Sequence, residues 1–174
     1  YWGTSEWTAA QISQAFGAAR QYNLIPPSVE QPQYSMFHRE RVETEIAPLA
    51  KELGLGLTTF SPLYFGILTG KYNDGVPDGS RAAMDSMAWV QNYLTPERLD
   101  IVQDLALIAD ELGISQAQLA LAWLLRRKEV SSVITGATKM SQLKDNLGAA
   151  DAIALLTDDV LDEIEAVISH EPEE

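Results

Sequence analysis

The stretch Tyr1-Trp2-Gly3-Thr4-Ser5-Glu6-Trp7-Thr8-Ala9-Ala10-Gln11 is where the fold is first legible. The residues up to Ser5 are β-prone. Ser5-Glu6-Trp7 then turns the chain. Thr8-x-x-Gln11 has the form of a capping box, and Ile12, Phe16 and Ala19 space one apolar face of a helix. Pro26-Pro27 cannot continue that helix, so it is predicted to stop near Tyr22. A strand followed directly by a helix is the start of an α/β fold. The turn between them lacks the glycines that a doubly wound nucleotide-binding fold carries after its first strand.

The same alternation continues outward from this start. Val29 to Phe37 reads as a second strand, with Pro32 marking an end or bulge. Arg39 to Leu53 is predicted helical, broken or kinked at Pro48 and ended by Gly54. Leu55 to Phe60 reads as the third strand. Residues 61–94 form a long connection rich in Gly, Pro, Asp and Ser, of the kind that is functional or mobile. Thr95-Pro96-Glu97 starts a helix that Gly113 ends, and Ser115-x-x-Gln118 starts another that runs to about Lys128. Ser131 to Thr135 reads as the fourth strand, and helices near 141–149 and 157–169 follow. Four strands separated by helices imply a parallel sheet. An open doubly wound sheet and half of a (β/α)8 barrel both fit that pattern.

Composition narrows the function classes. The chain has 174 residues, 46% hydrophobic and 21% charged, which is the balance of a globular domain. Its net charge is −13 and its pI about 4.4. That argues against a nucleic-acid binder, whose footprint is basic. Nine of the 25 acids lie in 151–174, where there is no Lys or Arg, and read as a solvated helix face and tail. With no cysteine, disulfides, thiolate metal sites and a thiol nucleophile are excluded; this fits a cytoplasmic protein. No apolar run approaches a membrane span. The first residue is Tyr1, inside a strand-like stretch, and the chain reads as the C-terminal part of something longer.

Several apparent motifs fail on inspection. Gly54-Leu-Gly56 precedes a strand instead of following one and lacks the third glycine of a dinucleotide fingerprint. Gly66-Ile-Leu-Thr-Gly70-Lys71 is one residue short of a P-loop, and Tyr72 stands where Ser or Thr belongs. A glycine-rich loop ending in Lys can still bind phosphate through backbone N–H groups. His38 and His170 read as surface histidines, and the acids of the last helix lack Ca-loop spacing. No metal site is expected.

Taken in order, however, Tyr1-Trp-Gly-Thr-Ser5, Glu30-Gln31-Pro-Gln-Tyr34, Phe60-Ser-Pro-Leu63 with Gly70-Lys71-Tyr72, Ser80-Arg81, and Gly136-Ala-Thr138 with Gln142 and Asn146 resemble the C-terminal half of an aldo-keto reductase. The resemblance is nearest to the branch that contains the voltage-gated potassium channel β subunits and their bacterial homologues. It implies strands five to eight of a (β/α)8 barrel, with 1–174 a partial barrel, 61–94 a cofactor-covering loop and 151–174 an acidic C-terminal helix and tail. It implies NADP as cofactor and hydride transfer to an aldehyde or ketone. Ser5 and Gln31 would hold the nicotinamide carboxamide, and Phe60 would stack on its ring. Ser61, Pro62, Leu63 and Gly66 would open the loop over the pyrophosphate, with Lys71 and Arg81 as its cations. Gly136, Thr138, Gln142 and Asn146 would surround the adenosine and its 2′-phosphate, with Asp145 near the adenine and Lys139 a further cation.

Two departures stand out. Glu6 replaces an Arg common after that Ser, and Gln142 replaces a common Arg. The family's catalytic Asp, Tyr, Lys and His find no match here, so no catalytic residue is assigned and this chain alone is expected to be inactive. A half barrel should also expose two sheet edges and an apolar inner face, and so aggregate, form a homo-oligomer or need its other half. As a channel-type subunit its partner would be a channel; as an enzyme, a small carbonyl substrate.

Overall fold

The computed structural model describes residues 1–169. His170 and the rest of the acidic tail lie outside the described residues. The chain divides into two compact units: Tyr1–Pro62 with Leu124–Thr135, and Leu63–Trp123 with the chain from Gly136.

The first unit holds a sheet of four parallel strands, β1 (Gly3–Ser5), β2 (Val29–Gln31), β3 (Gly56–Thr59) and β4 (Val130–Val133), in the order β1-β2-β3-β4. A doubly wound sheet reverses strand order at a switch point. Sequential order without reversal is that of consecutive barrel strands, and four of them make part of a barrel. Helix α1 (Ala9–Tyr22) forms as predicted. Thr8 Oγ1 accepts from Gln11 N–H at 3.2 Å, Gln11 Oε1 accepts from Thr8 N–H at 2.9 Å, and Ile12, Phe16 and Ala19 are buried.

Two expectations in this unit need correction. The second strand is only Val29–Gln31, not Val29 to Phe37. Pro32 has no N–H to give the ladder, so pairing lapses there and survives as isolated bridges, Gln33 to Phe60 and Ser35 to His38. The helix from Arg39 begins with a π turn, Val42–Ile46, in which Ala47 N–H reaches back to Val42 C=O. It becomes α2 (Ala47–Leu53) once Pro48 has entered at the first turn. Gly54 ends it at φ 71°.

The sheet faces differ in a way the half-barrel expectation missed. Thr4, Glu30, Leu57, Thr59 and Val130 are buried. The opposite face carries Gly3, Ser5, Val29, Gln31, Gly56, Thr58 and Ser132, which are exposed or half-buried. It is therefore small and polar, with Val29 the sole large apolar residue among these seven. The predicted apolar inner face is not what this sheet presents.

In the second unit, α3 (Pro96–Glu111) is capped by Thr95, whose hydroxyl accepts from Arg98 N–H at 3.3 Å. It lies alongside α7 (Asp158–Ile168), with Ile101, Val102, Leu105, Ile108, Ile164 and Ile168 buried. The Ser115–Gln118 capping box forms in both directions at 3.1 Å and opens α4 (Gln116–Leu125). Residues 119–124 of α4 are all buried, as a packed helix requires. Two further helices, α5 (Met140–Leu147) and α6 (Ala149–Ala152), precede α7.

The 61–94 connection is not a featureless loop. It is a series of 3-10 turns, at Tyr64–Thr69, Arg81–Ala83 and Asp85–Tyr93, anchored by buried Tyr64, Ile67, Leu68, Tyr72, Ala82 and Val90. Among the described residues no single helix is long and apolar enough to cross a membrane, and no group of three or more His, Cys, Asp or Glu could hold a metal ion.

Candidate functional site

In the first unit the site begins with sheet register. Ser5 pairs with Gln31 across β1 and β2, both at the carboxyl ends of their strands. Glu30 pairs with Leu57, so Gln31 falls opposite Thr58, and the Gln33–Phe60 bridge continues that register. Side chains alternate along a strand, so Ser5, Gln31 and Phe60 share one face. Phe60 is fixed by its backbone, donating to Pro32 C=O at 3.1 Å and accepting from Tyr34 N–H at 3.2 Å. The Ser5 hydroxyl donates to Gln31 C=O at 2.9 Å. A hydroxyl, an amide and a half-buried aromatic ring at strand ends suit a flat ring bearing a carboxamide: the amide offers both donor and acceptor, and the ring face offers stacking.

Two acids hold this edge, and sequence reading gave neither a role. Glu30 is fully buried; its carboxylate accepts from the Thr4 hydroxyl and from Trp7 N–H at 3.1 Å, tying the turn after Ser5 to β2. Glu6, at φ 60°, accepts from Gln33 N–H at 2.6 Å and pairs with Arg41 at 3.0 Å. The residue that departs from the family pattern is thus a brace between the β1 turn and the segment after β2.

A second network, half-buried around the fully buried Tyr34, lies in the same unit. The Tyr34 hydroxyl donates to Glu43 Oε1 at 2.7 Å, and Glu43 also meets Arg127 at 3.0 Å and Arg39 at 3.7 Å. Burial, reinforced by the Glu43 charge, pushes the Tyr34 hydroxyl well above its ordinary pKa of 10.0. That is the opposite of what a general acid needs near neutral pH. Burial lowers the Arg126 guanidinium, whereas at Arg127 it is outweighed by Tyr34 and Glu43, which raise it.

Because the folded chain holds the Tyr34 proton more tightly than the unfolded chain, the stability this provides is full below pH 10.0 and is lost as pH rises beyond it. Urea midpoints followed upward from neutral pH should fall more steeply above pH 10.0 in the wild type than in Tyr34→Phe. Parallel curves would show that Tyr34 is not the group.

In the second unit, Leu63 and half-buried Gly66 open the connection. Gly66 has φ 95°, and the Lys71 ammonium packs against it so closely that an added Cβ would lie 2.5 Å from Lys71 Nζ. Ser61, which with Pro62 closes the first unit, is itself left-handed at φ 51°. Arg81 is exposed, with a guanidinium nitrogen 3.6 Å from where a Gly136 Cβ would sit. Each cation thus lies against bare glycine backbone, Lys71 at Gly66 and Arg81 at Gly136, and a cation beside glycine backbone is chemistry suited to a phosphate.

The residues after β4 are partly engaged within the chain. Gln142 Oε1 accepts from Thr138 N–H at 2.9 Å, Lys139 N–H at 3.1 Å and the Thr138 hydroxyl at 3.2 Å. It thereby covers two backbone donors at the start of α5. Asp145 Oδ2 accepts from the Ser115 hydroxyl at 2.9 Å, and Asp145 C=O accepts from Gln118 at 3.0 Å, fastening α5 to the start of α4. Asn146 is half-buried beside it.

The comparisons with known proteins show the family. The aldo/keto reductase family model matches residues 1–169. The chain belongs to the aldo/keto reductase family. Two curated relatives carry the name "Probable voltage-gated potassium channel subunit beta": one from Arabidopsis thaliana, 53% identical, and one from Oryza sativa subsp. japonica, 51% identical. Each alignment covers 99% of this chain and 53% of the relative. The chain spans about half the length of the curated relatives it matches. The family resemblance read from the ordered motifs, including its channel β-subunit branch, is borne out.

Proposed function

We propose that this chain is the cofactor-binding C-terminal portion, strands five to eight, of an NADP-dependent aldo-keto reductase that reduces aldehydes or ketones. The observation that carries this reading is the row of Ser5, Gln31 and Phe60 on one face at the carboxyl ends of consecutive parallel strands. In barrels of this kind the active site lies at that end.

A bound reduced nicotinamide dinucleotide supplies the hydride that reduces a carbonyl carbon. The residues of this chain bind and orient. Ser5 and Gln31 hydrogen-bond the carboxamide, which decides which ring face is presented, and Phe60 backs the other face. Lys71 and Arg81 neutralise the pyrophosphate, with 61–94 covering it and Ser61, Pro62, Leu63 and Gly66 forming its first turn. Gly136, Thr138, Gln142 and Asn146 receive the adenosine end, and Asp145 orients that helix from its Ser115 bond. Protonation of the product oxygen is assigned to a general acid outside this chain.

Isothermal titration of the protein with NADPH tests the binding half of the proposal, and carbonyl-dependent NADPH oxidation tests the rest. The 174-residue chain by itself should turn over at least roughly 100-fold more slowly than the protein as its source makes it, since a positioned general acid contributes about that much or more. Equal turnover by the two would overturn the placement of the acid outside the chain.

The names of the two plant relatives favour a second reading, a cytoplasmic redox-sensing β-type subunit that binds the same dinucleotide while docked on a potassium channel. Rapid turnover with no channel co-purifying favours the enzyme. Channel co-purification with slow turnover favours the subunit.

A further inference from the structure

The most strained backbone of the second unit is the bend after Leu63. Tyr64, Phe65 and Gly66 follow one another at φ 44°, 60° and 95°. Left-handed conformations are unfavourable for bulky L-residues, and consecutive ones persist only where the surroundings over-determine them. Here the surroundings are aromatic. The Tyr64 ring, almost fully buried, meets Tyr93 edge-on at 5.5 Å, and Phe65 meets Trp89 edge-on at 4.8 Å. Phe65 also lies 5.6 Å from Tyr93, which closes the cluster.

One charged residue is built into this cluster. Arg98, in the first turn of α3, is 6% exposed, and its guanidinium carbon stands 5.3 Å from the Tyr64 ring centre and 5.6 Å from that of Tyr93. It therefore joins the first residue of the strained bend to the last residue of the 85–93 turn. A leucine would fill such a place without bringing a charge into it. A guanidinium adds a flat stacking surface and attraction to two ring faces at once. The far end of the bend is Gly66, the residue against which the Lys71 ammonium rests.

We propose that Arg98 is a positioning residue: laid across Tyr64 and Tyr93, it holds the left-handed bend and, through Gly66, sets Lys71 where a dinucleotide pyrophosphate is received. This rests on the dinucleotide-binding reading above. It gives the aromatic cluster a task beyond packing.

The test compares NADPH with reduced nicotinamide mononucleotide, which lacks the pyrophosphate bridge, on the protein as its source makes it. Arg98→Leu should weaken NADPH binding by roughly tenfold, mostly through faster dissociation, while the mononucleotide changes less than about twofold. Arg98→Lys, which keeps the charge and part of the ring contact, should recover most of the loss. Without nucleotide, tryptic cleavage after Lys71 should quicken in Arg98→Leu. If NADPH and the mononucleotide weaken together, or neither changes, the positioning role is overturned. Should Arg98→Leu fail to fold, Trp89→Ala trims the exposed side of the same cluster; a loss confined to NADPH supports the proposal, and unchanged NADPH binding overturns it. Wild-type protein that binds no NADPH overturns the underlying reading, and shows this before any substitution is made.

Discussion

Glu43→Leu should lower the unfolding free energy by about 3 kcal/mol, the usual cost of removing one member of a buried charged network. Glu43 is the hub of that network. It accepts from the Tyr34 hydroxyl at 2.7 Å and meets Arg127 at 3.0 Å, and its side chain is only 19% exposed. Leucine matches much of its volume but takes away an acceptor used by a fully buried tyrosine hydroxyl and by a half-buried guanidinium. Glu43→Gln keeps a carbonyl oxygen for Tyr34 and should lose about half as much. Urea unfolding followed by circular dichroism measures both. Because the group is shielded, the difference between wild type and Glu43→Leu should survive high salt. A loss below about 1 kcal/mol, or one abolished by salt, would mean that the network behaves as a surface ion pair.

Gly66→Ala should weaken NADPH binding by roughly 100-fold, given the proposed function. Two faults combine in this substitution. At φ 95° any Cβ is strained, and this one would lie 2.5 Å from Lys71 Nζ, so the ammonium must leave its place. Gly75→Ala is the control. Gly75 has φ 117° but open space where its Cβ would go, so it carries the strain without displacing a cation. Fluorescence titration with NADPH should therefore separate the two variants by about tenfold or more. Equal affinities would show that the Lys71 position does not matter and would remove it from the candidate site.

The candidate site residues come from an ordered set of short motifs, and the strand register brings three of them, Ser5, Gln31 and Phe60, to one face. Glu30, Glu6, Arg98 and the Tyr34–Glu43 pair were not legible as working residues. Their partners lie 23 residues away for Glu30 and Trp7, and 35 for Glu6 and Arg41. No local pattern announces such pairs. That Gln142 caps its own helix is visible only once the Thr138 and Lys139 N–H groups are seen to point at it.

The sequence by itself determined the alternation of strand and helix, the caps at Thr8, Thr95 and Ser115, the αL stop at Gly54 and the family. These depend on spacings of three or four residues and on the conformational limits of single residue types, which a linear reading contains. Tertiary structure alone decided the strand order that separates barrel from doubly wound sheet, the small and polar face of that sheet, and the left-handed bend at Tyr64 and Phe65. Each of these rests on contacts between distant residues. A bulky residue adopts a positive φ only because an aromatic cluster closes around it, and two strands become neighbours only when the helix between them has packed.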